Sequence, residues 1–376
     1  MIKTLKYNIL FIFLALFLSQ CRKSEPIDSS KSESYKPTPI VSTSIFPRAL
    51  GIPSLPIDNL ITEEGVYLGR LLFYDKLLSA DNSISCASCH LQKNAFAEPK
   101  KTSVGIFGLP VKRNASALFN MAYSRKFFWD GRQNRLANLV FEPIQAHNEM
   151  GLNLPELDDR LKKSELYQNW FKKAFNANPN IGQMSMAMEQ FLLTLVSSDS
   201  RFDKAGPSLT GLSSSEKAGF TLFQTLTNLQ GGQNQGADCF HCHGGILFQA
   251  QNPLAGGITN NGLDASFTDL GAGSITGNSS DNGTFKSPSL RNISLTGPYM
   301  HDGRFQDLSE VIDHYSDNIN FSSPNISPNL ANHVSGPGGP PEQMNLTAVQ
   351  KENLLNFLKT LTDSTFITNP KYSNPF

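Results

Sequence analysis

The chain has 376 residues, room for two ordinary domains each with its own core, and its 32 basic residues balance 32 acidic ones. That balance argues against a nucleic-acid or polyanion partner, and the slightly negative mean hydropathy fits a soluble body. Aromatic content rests on 26 Phe against only 2 Trp, which makes each tryptophan easier to weigh.

Residues 1–20 read as a signal peptide rather than part of the fold. Lys3 and Lys6 precede an apolar run from Ile9 to Leu18, too short to span a bilayer comfortably. The run ends in Leu18-Ser19-Gln20-Cys21, which resembles a lipobox with Gln20 where a small residue is usual. Cys21 is then the expected site of a lipid anchor, or else an incidental cysteine behind an ordinary cleaved signal. Either way a periplasmic, exported chain is expected. Residues 21–45, rich at first in Ser, Lys, Glu and Pro, are expected to form a flexible tether.

Glu63 to Leu78 is predicted as a helix on the spacing of Val66, Leu68, Leu71, Leu72 and Phe73. It leads through Ser79-Ala80-Asp81-Asn82 to Cys86-Ala87-Ser88-Cys89-His90. Residues 91–118 read as loop, punctuated by Gly105, Gly108 and Pro110. Helical patches are expected around 133–142, 155–175 and 183–198. A junction between Ser198 and Ser213 divides the chain into domains 46–205 and 206–376. Ser214 to Leu226 is a second predicted helix, running toward Cys239-Phe240-His241-Cys242-His243. Residues 250–285 and Gly336 to Pro341 read as irregular, and Leu346 to Leu361 as a closing helix. No strand-rich region stands out, so the expected fold is mainly α with long loops.

Both cysteine motifs are C-x-x-C-H, the attachment signature of a c-type haem: the thiols add across two vinyl groups and the adjacent histidine ligates the iron. Zinc sites also use paired C-x-x-C. Two separated copies behind a helix, in an exported chain, favour haem. Two covalent haem c groups are therefore expected, one at Cys86, Cys89 and His90, the other at Cys239, Cys242 and His243. With Cys21 set aside, no cysteine remains for a disulfide. The plan of helix, loop and motif occurs twice, with L-x-R-L-L-F at 68–73 and G-F-x-L-F at 219–223, a weak internal repeat of two cytochrome-c-like modules.

The sixth iron position separates a haem that binds peroxide from one that only passes electrons. Between His90 and Trp129 there is no histidine and only one methionine, Met121, so an open first haem is expected. The second half offers Met300, His301, His314 and Tyr315, and the residues alone do not choose among them.

From about Pro53 to Thr362 the sequence resembles the bacterial di-haem cytochrome c peroxidase family. The resemblance is carried by L-G-R-L-L-F-Y-D-K-L-L-S at 68–79, the two haem motifs, R-N-A-S at 113–116, F-F-W-D-G-R at 127–132 and K-S-P-S-L-R-N-I-S-L-T-G-P-Y-M-H-D-G at 286–303. It implies that His90 holds the peroxidatic haem and His243 the electron-transfer haem, with Trp129 coupling them. It implies Glu149 as the distal general acid–base that splits the O–O bond. Leu139 falls where the family has a distal glutamine, and Ile106 where many members have a histidine that caps the first iron. Tyr315 falls where those members have a methionine, as in the MauG-like, tyrosine-ligated subgroup; tyrosinate lowers an iron potential that methionine raises. The resemblance also implies a calcium ion on Asn114, Thr296 and Pro298, and a homodimer. The function it implies is reduction of hydrogen peroxide with electrons from a protein or small donor. The alternatives are a MauG-like oxidase acting on an aromatic side chain of a partner protein, and a non-catalytic electron carrier or sensor.

Overall fold

The helix Glu63–Tyr74 starts where Thr62 accepts a hydrogen bond from the Gly65 amide, with Glu63 and Glu64 favourably placed in its first turn. This computed structural model describes residues 34–227, 236–250, 257–331 and 339–376. The signal peptide, Cys21 and most of the tether lie outside the described residues, as does part of the predicted loop Gly336 to Pro341. The Glu63–Tyr74 helix buries Leu68, Leu71, Leu72 and Phe73 and crosses the helix Ile181–Thr194. Gly69 permits that crossing, because a Cβ there would lie 2.0 Å from the Ala187 carbonyl oxygen.

The second half repeats the device. The helix Ser214–Gln224 opens on a Ser213/Glu216 capping box and crosses the helix Ala348–Lys359. A Cβ on Gly219 would lie 1.9 Å from the Asn353 carbonyl oxygen. Four residues beyond each glycine stands a buried phenylalanine, Phe73 or Phe223, and four beyond each approached carbonyl stands Phe191 or Phe357. The facing rings are 5.4 Å apart in the first crossing and 5.3 Å in the second. The internal repeat is thus a repeated helix crossing, each nucleating its own apolar core. The fold is mainly helical, as expected.

Local boundaries follow side-chain caps that periodicity does not register. The first predicted helix stops at Tyr74, because Asp75 accepts from the Leu77 amide at 2.8 Å and opens a separate turn, Lys76–Leu78. The 155–175 patch is two helices, Leu154–Lys163 and Glu165–Phe175, broken where Ser164 caps the second. The 133–142 patch is Leu136–Leu139 followed by Phe141–Gln145, and the 183–198 patch is Ile181–Thr194. Within the expected junction lies a short helix, Arg201–Ala205. The longest helix that was not anticipated is Leu308–Asp317, opened by an Asp307/Glu310 capping box and carrying Tyr315. The stretch read as irregular contributes Ile258–Thr259, which pairs antiparallel with Phe285–Lys286.

The chain then returns to its first core. Asp363 caps the helix Ser364–Thr368, whose Phe366 packs on Phe96 and Phe119 at 5.7 and 6.2 Å between centroids. Arg70 Nε donates to the Ser373 carbonyl at 2.7 Å, and Gln92 Nε2 to that of Asn369 at 2.8 Å. The Asp363 carboxylate accepts from Ser197 Oγ and from the amides of Ser198 and Asp199 at 2.9–3.0 Å, while its own amide donates to Asn292 Oδ1 at 2.8 Å. Among the described residues no helix is long and apolar enough to cross a membrane.

Candidate functional site

The two C-x-x-C-H motifs fold alike. Cys86–Cys89 is a helical turn with a Ser85/Ser88 capping box, and the His90 amide donates back to the Cys86 carbonyl at 2.9 Å. Cys239–His241 is a tighter turn, and the His243 amide donates to the Cys239 carbonyl at 2.9 Å. Each imidazole is then oriented by a backbone carbonyl: His90 Nδ1 donates to Phe96 at 2.9 Å, His243 Nδ1 to Pro288 at 3.0 Å. A carbonyl only accepts, so the ring proton is on Nδ1 and the Nε2 lone pair is left for a metal. Burial favours the neutral rings, lowering the pKa of His90 and bringing that of His243 down to about 4. Ala95 and Phe96, both at positive φ (52° and 58°), form the reversal that presents the Phe96 carbonyl.

The second motif borders a large cavity. Cys239, Cys242 and His243 line it, together with Met300, His301 and Tyr315, and apolar walls such as Phe223, Leu290, Ile312 and Leu358 complete it. Asn261 Nδ2 donates to Tyr315 Oη at 3.2 Å and reaches Met300 Sδ at 3.5 Å, so the phenol and the thioether share one neighbour. Burial pushes the Tyr315 phenol up to about 12, against the Asn261 bond that lowers it. His314 is turned elsewhere, its Nε2 on the Asn261 carbonyl at 3.0 Å. His301 lies flat on Phe285, with centroids 3.8 Å apart. Of the four residues left open by the sequence, three therefore border the cavity and His314 does not. A neutral imidazole with its Nδ1 engaged, two thiols beside it and apolar flanks suit a covalently held porphyrin.

At the first motif, the Glu149 charge bears on both Cys86 and Cys89. Burial raises the Glu149 pKa above the ordinary carboxylate value; Arg132 opposes this and Glu142 adds to it. The loop around Ile106 is docked on the same turn, with the Ile106 amide donating to the Glu149 carbonyl at 3.0 Å. Only glycine fits at 105, where a Cβ would lie 2.3 Å from the Asn148 carbonyl oxygen. Phe107 stacks on His147 at 4.4 Å, and the buried Glu98 holds Ser103 at the base of the loop. Leu139 is half-buried against the first core and offers no hydrogen bond from its side chain.

Residues 114–117 connect the two centres. The Ser116 backbone bears on the His90 ring, while Asn114 to Ala117 line the second cavity. Trp129 lines that cavity too; its Nε1 donates to the Asn114 carbonyl at 2.9 Å, and its own carbonyl accepts from the Lys286 amide at 2.7 Å. Met121 also borders the second cavity. Asn114 is buried and its Nδ2 donates to the Lys100 and Lys101 carbonyls at 3.0 and 3.3 Å; Thr296 and Pro298 stand on the same cavity wall. Sequence reasoning missed the Phe96 and Pro288 carbonyls, which any residue type could supply, and Asn261. It also passed over Lys286, although that residue opens a motif the resemblance rests on.

Two matched haem-attachment turns, each beside a helix crossing of one plan, define a c-type redox protein with two centres. Residues 63–208 match the family model described as di-haem cytochrome c peroxidase. Methylamine utilization protein MauG of Methylorubrum extorquens is 34% identical over 275 residues, 72% of this chain and 73% of that protein. Cytochrome-c peroxidase IdrP1 of Pseudomonas sp. strain SCT is 30% identical over 346 residues, 83% of this chain and 85% of that protein. The crystal structure of a MauG-like protein associated with microbial copper homeostasis superposes with a TM-score of 0.76 at 31% identity, covering 88% of this chain and 98% of that one. The chain belongs to the di-haem cytochrome c peroxidase and MauG family and is an oxidoreductase.

Proposed function

We propose that the chain is a periplasmic enzyme that reduces hydrogen peroxide to water, drawing two electrons from a protein or small donor. Residues 46–205 form its peroxidatic half and residues 206–376 its electron-storing half. When bound, the haems on His90 and His243 supply redox-active iron at both centres. The observation that carries the reading is Glu149, a partly desolvated carboxyl whose charge bears on the first haem-attachment cysteines. Its carboxylate takes the proton from one peroxide oxygen and returns it to the other, so that the O–O bond breaks as water leaves. With two electrons and two protons, each peroxide yields two waters. Ile106 cannot ligate iron and leaves the first centre open, and Leu139 leaves the peroxide without the glutamine contact found elsewhere in the family. Trp129 couples the two centres through the 114–117 segment. Tyr315, on the wall of the cavity that His243 also lines, would be the second protein ligand of that haem.

Low-temperature EPR of the isolated holoprotein, combined with peroxide consumption in the presence of a reduced donor, tests this. The expected result is one high-spin haem, one low-spin haem and donor-dependent loss of peroxide. Two six-coordinate low-spin haems without consumption would establish the carrier reading instead. Tyr315 beside Asn261 favours one second reading, a MauG-like oxidation of an aromatic side chain on a partner protein, for which peroxide is again the oxidant. Asn114 Oδ1 with the Thr296 and Pro298 carbonyls offers the oxygen donors a calcium ion takes. A chelator should then lower the melting temperature and added calcium restore it. The lipid anchor proposed on Cys21 is checked by the mass of the mature N-terminal peptide.

A further inference from the structure

Lys286 is a cation with no carboxylate partner among the described residues. It sits in the short strand Phe285–Lys286, opposite Ile258, with its amide fixed on the Trp129 carbonyl at 2.7 Å. Its side chain lines the second cavity, and its charge bears on the His243 ring. Among the described residues no carboxylate pairs with its ammonium: the ion pairs there engage other lysines and arginines. The internal segments outside the described residues (228–235, 251–256 and 332–338) contain no Asp or Glu. Enclosure alone brings its pKa down to about 8, with no neighbouring charge offsetting it. A half-buried ammonium on a cavity wall, with no carboxylate beside it, is costly unless something entering the cavity brings a negative charge. Neither the thiols nor the imidazole nor the phenol does so in its neutral form.

We propose that the Lys286 ammonium is the counter-charge of the second cavity, pairing with a peripheral carboxylate of the porphyrin held by Cys239, Cys242 and His243. The proposal rests on the haem reading of that cavity. The pairing fixes the porphyrin edge next to Trp129, because the same residue is tied to the Trp129 backbone. It also holds one positive charge near the second iron, which favours the reduced state.

The test is potentiometric titration of the second haem in the holoprotein, with haem counted by pyridine haemochrome and by mass. Lys286→Gln should retain two haems and shift the reduction equilibrium of the second toward oxidation by about tenfold, which is about 59 mV for one electron. Lys286→Arg should restore the wild-type potential, as a merely space-filling lysine would not require. Two haems with an unmoved potential in Lys286→Gln overturns the pairing and leaves the haem reading intact. A wild-type chain with no haem on Cys239 and Cys242 overturns both. If the glutamine variant does not load haem, a crystal structure of the wild-type holoprotein decides: Lys286 Nζ within hydrogen-bond distance of a porphyrin carboxylate supports the pairing, and Nζ directed away from it overturns it.

Discussion

Desolvation and Glu142 lift the Glu149 carboxyl above the ordinary carboxylate range, while Arg132 pulls it back. A base is active only when deprotonated, so peroxide turnover should rise with pH through this raised pKa and then level off. Glu149→Gln should remove that acid limb and lower turnover by roughly 10²–10⁴-fold, with haem content unchanged; initial rates across the pH range measure both. At the second centre, Tyr315→Met should raise the potential of the second haem and give the far-red band of methionine-ligated iron. An unchanged spectrum would mean that Tyr315 is not the ligand and leave the position to Met300, which shares Asn261 with it, or to His301. The attachment residues were legible in the sequence because thioether chemistry dictates their spacing. The groups that aim the imidazoles were not, since a carbonyl carries no residue identity. The choice among Met300, His301, His314 and Tyr315 narrows only when the His314 ring is seen bonded to the Asn261 carbonyl.

At the scale of elements, Gly69 and Gly219 occupy matching places in the two crossings, and each leaves no room for a methyl group. Gly69→Ala and Gly219→Ala should each cost about 1–3 kcal/mol of stability by overpacking, read as a lower urea midpoint. Gly182 is the control: it is helical, its nearest neighbour would sit at 3.4 Å, and alanine there should be neutral or stabilising by about 0.5–1 kcal/mol. Helix existence was legible from apolar periodicity, whereas helix ends were set by Asp75 and Ser164, single side chains that compete for backbone amides. The Leu308–Asp317 helix was marked twice in the sequence, by the Asp307/Glu310 capping pattern and by apolar Leu308, Val311, Ile312 and Tyr315 at helical spacing, although no helix was expected there.

Across the whole molecule, Asp363 ties the expected junction to the turn that carries Asn292. Burial raises its pKa, but the hydrogen bonds from Thr365, the Asp199 and Phe366 amides and Ser197 outweigh that and hold it below the usual aspartate value. A depressed folded pKa stabilises the fold above the unfolded value, and the stabilisation is lost as pH falls through the folded one. Asp363→Ala should therefore lower the melting temperature at neutral pH, by the equivalent of about 1–3 kcal/mol, and the difference from wild type should shrink in acid. The division into two cores was legible from the repeated motif; the return of the segment after Asp363 to the first core was not, because Ser364–Thr368 is too short to show a period. That return has a consequence for the order of assembly. Arg70 and its partner Ser373 are 303 positions apart, so the first core cannot close until nearly the whole chain is available. Cys86 and Cys89 should accept their haem while that core is still open along one side. A chain stopped at Thr362 should then carry haem on both motifs yet lose its compactness around the first, a difference that limited proteolysis of the haem-loaded protein would expose.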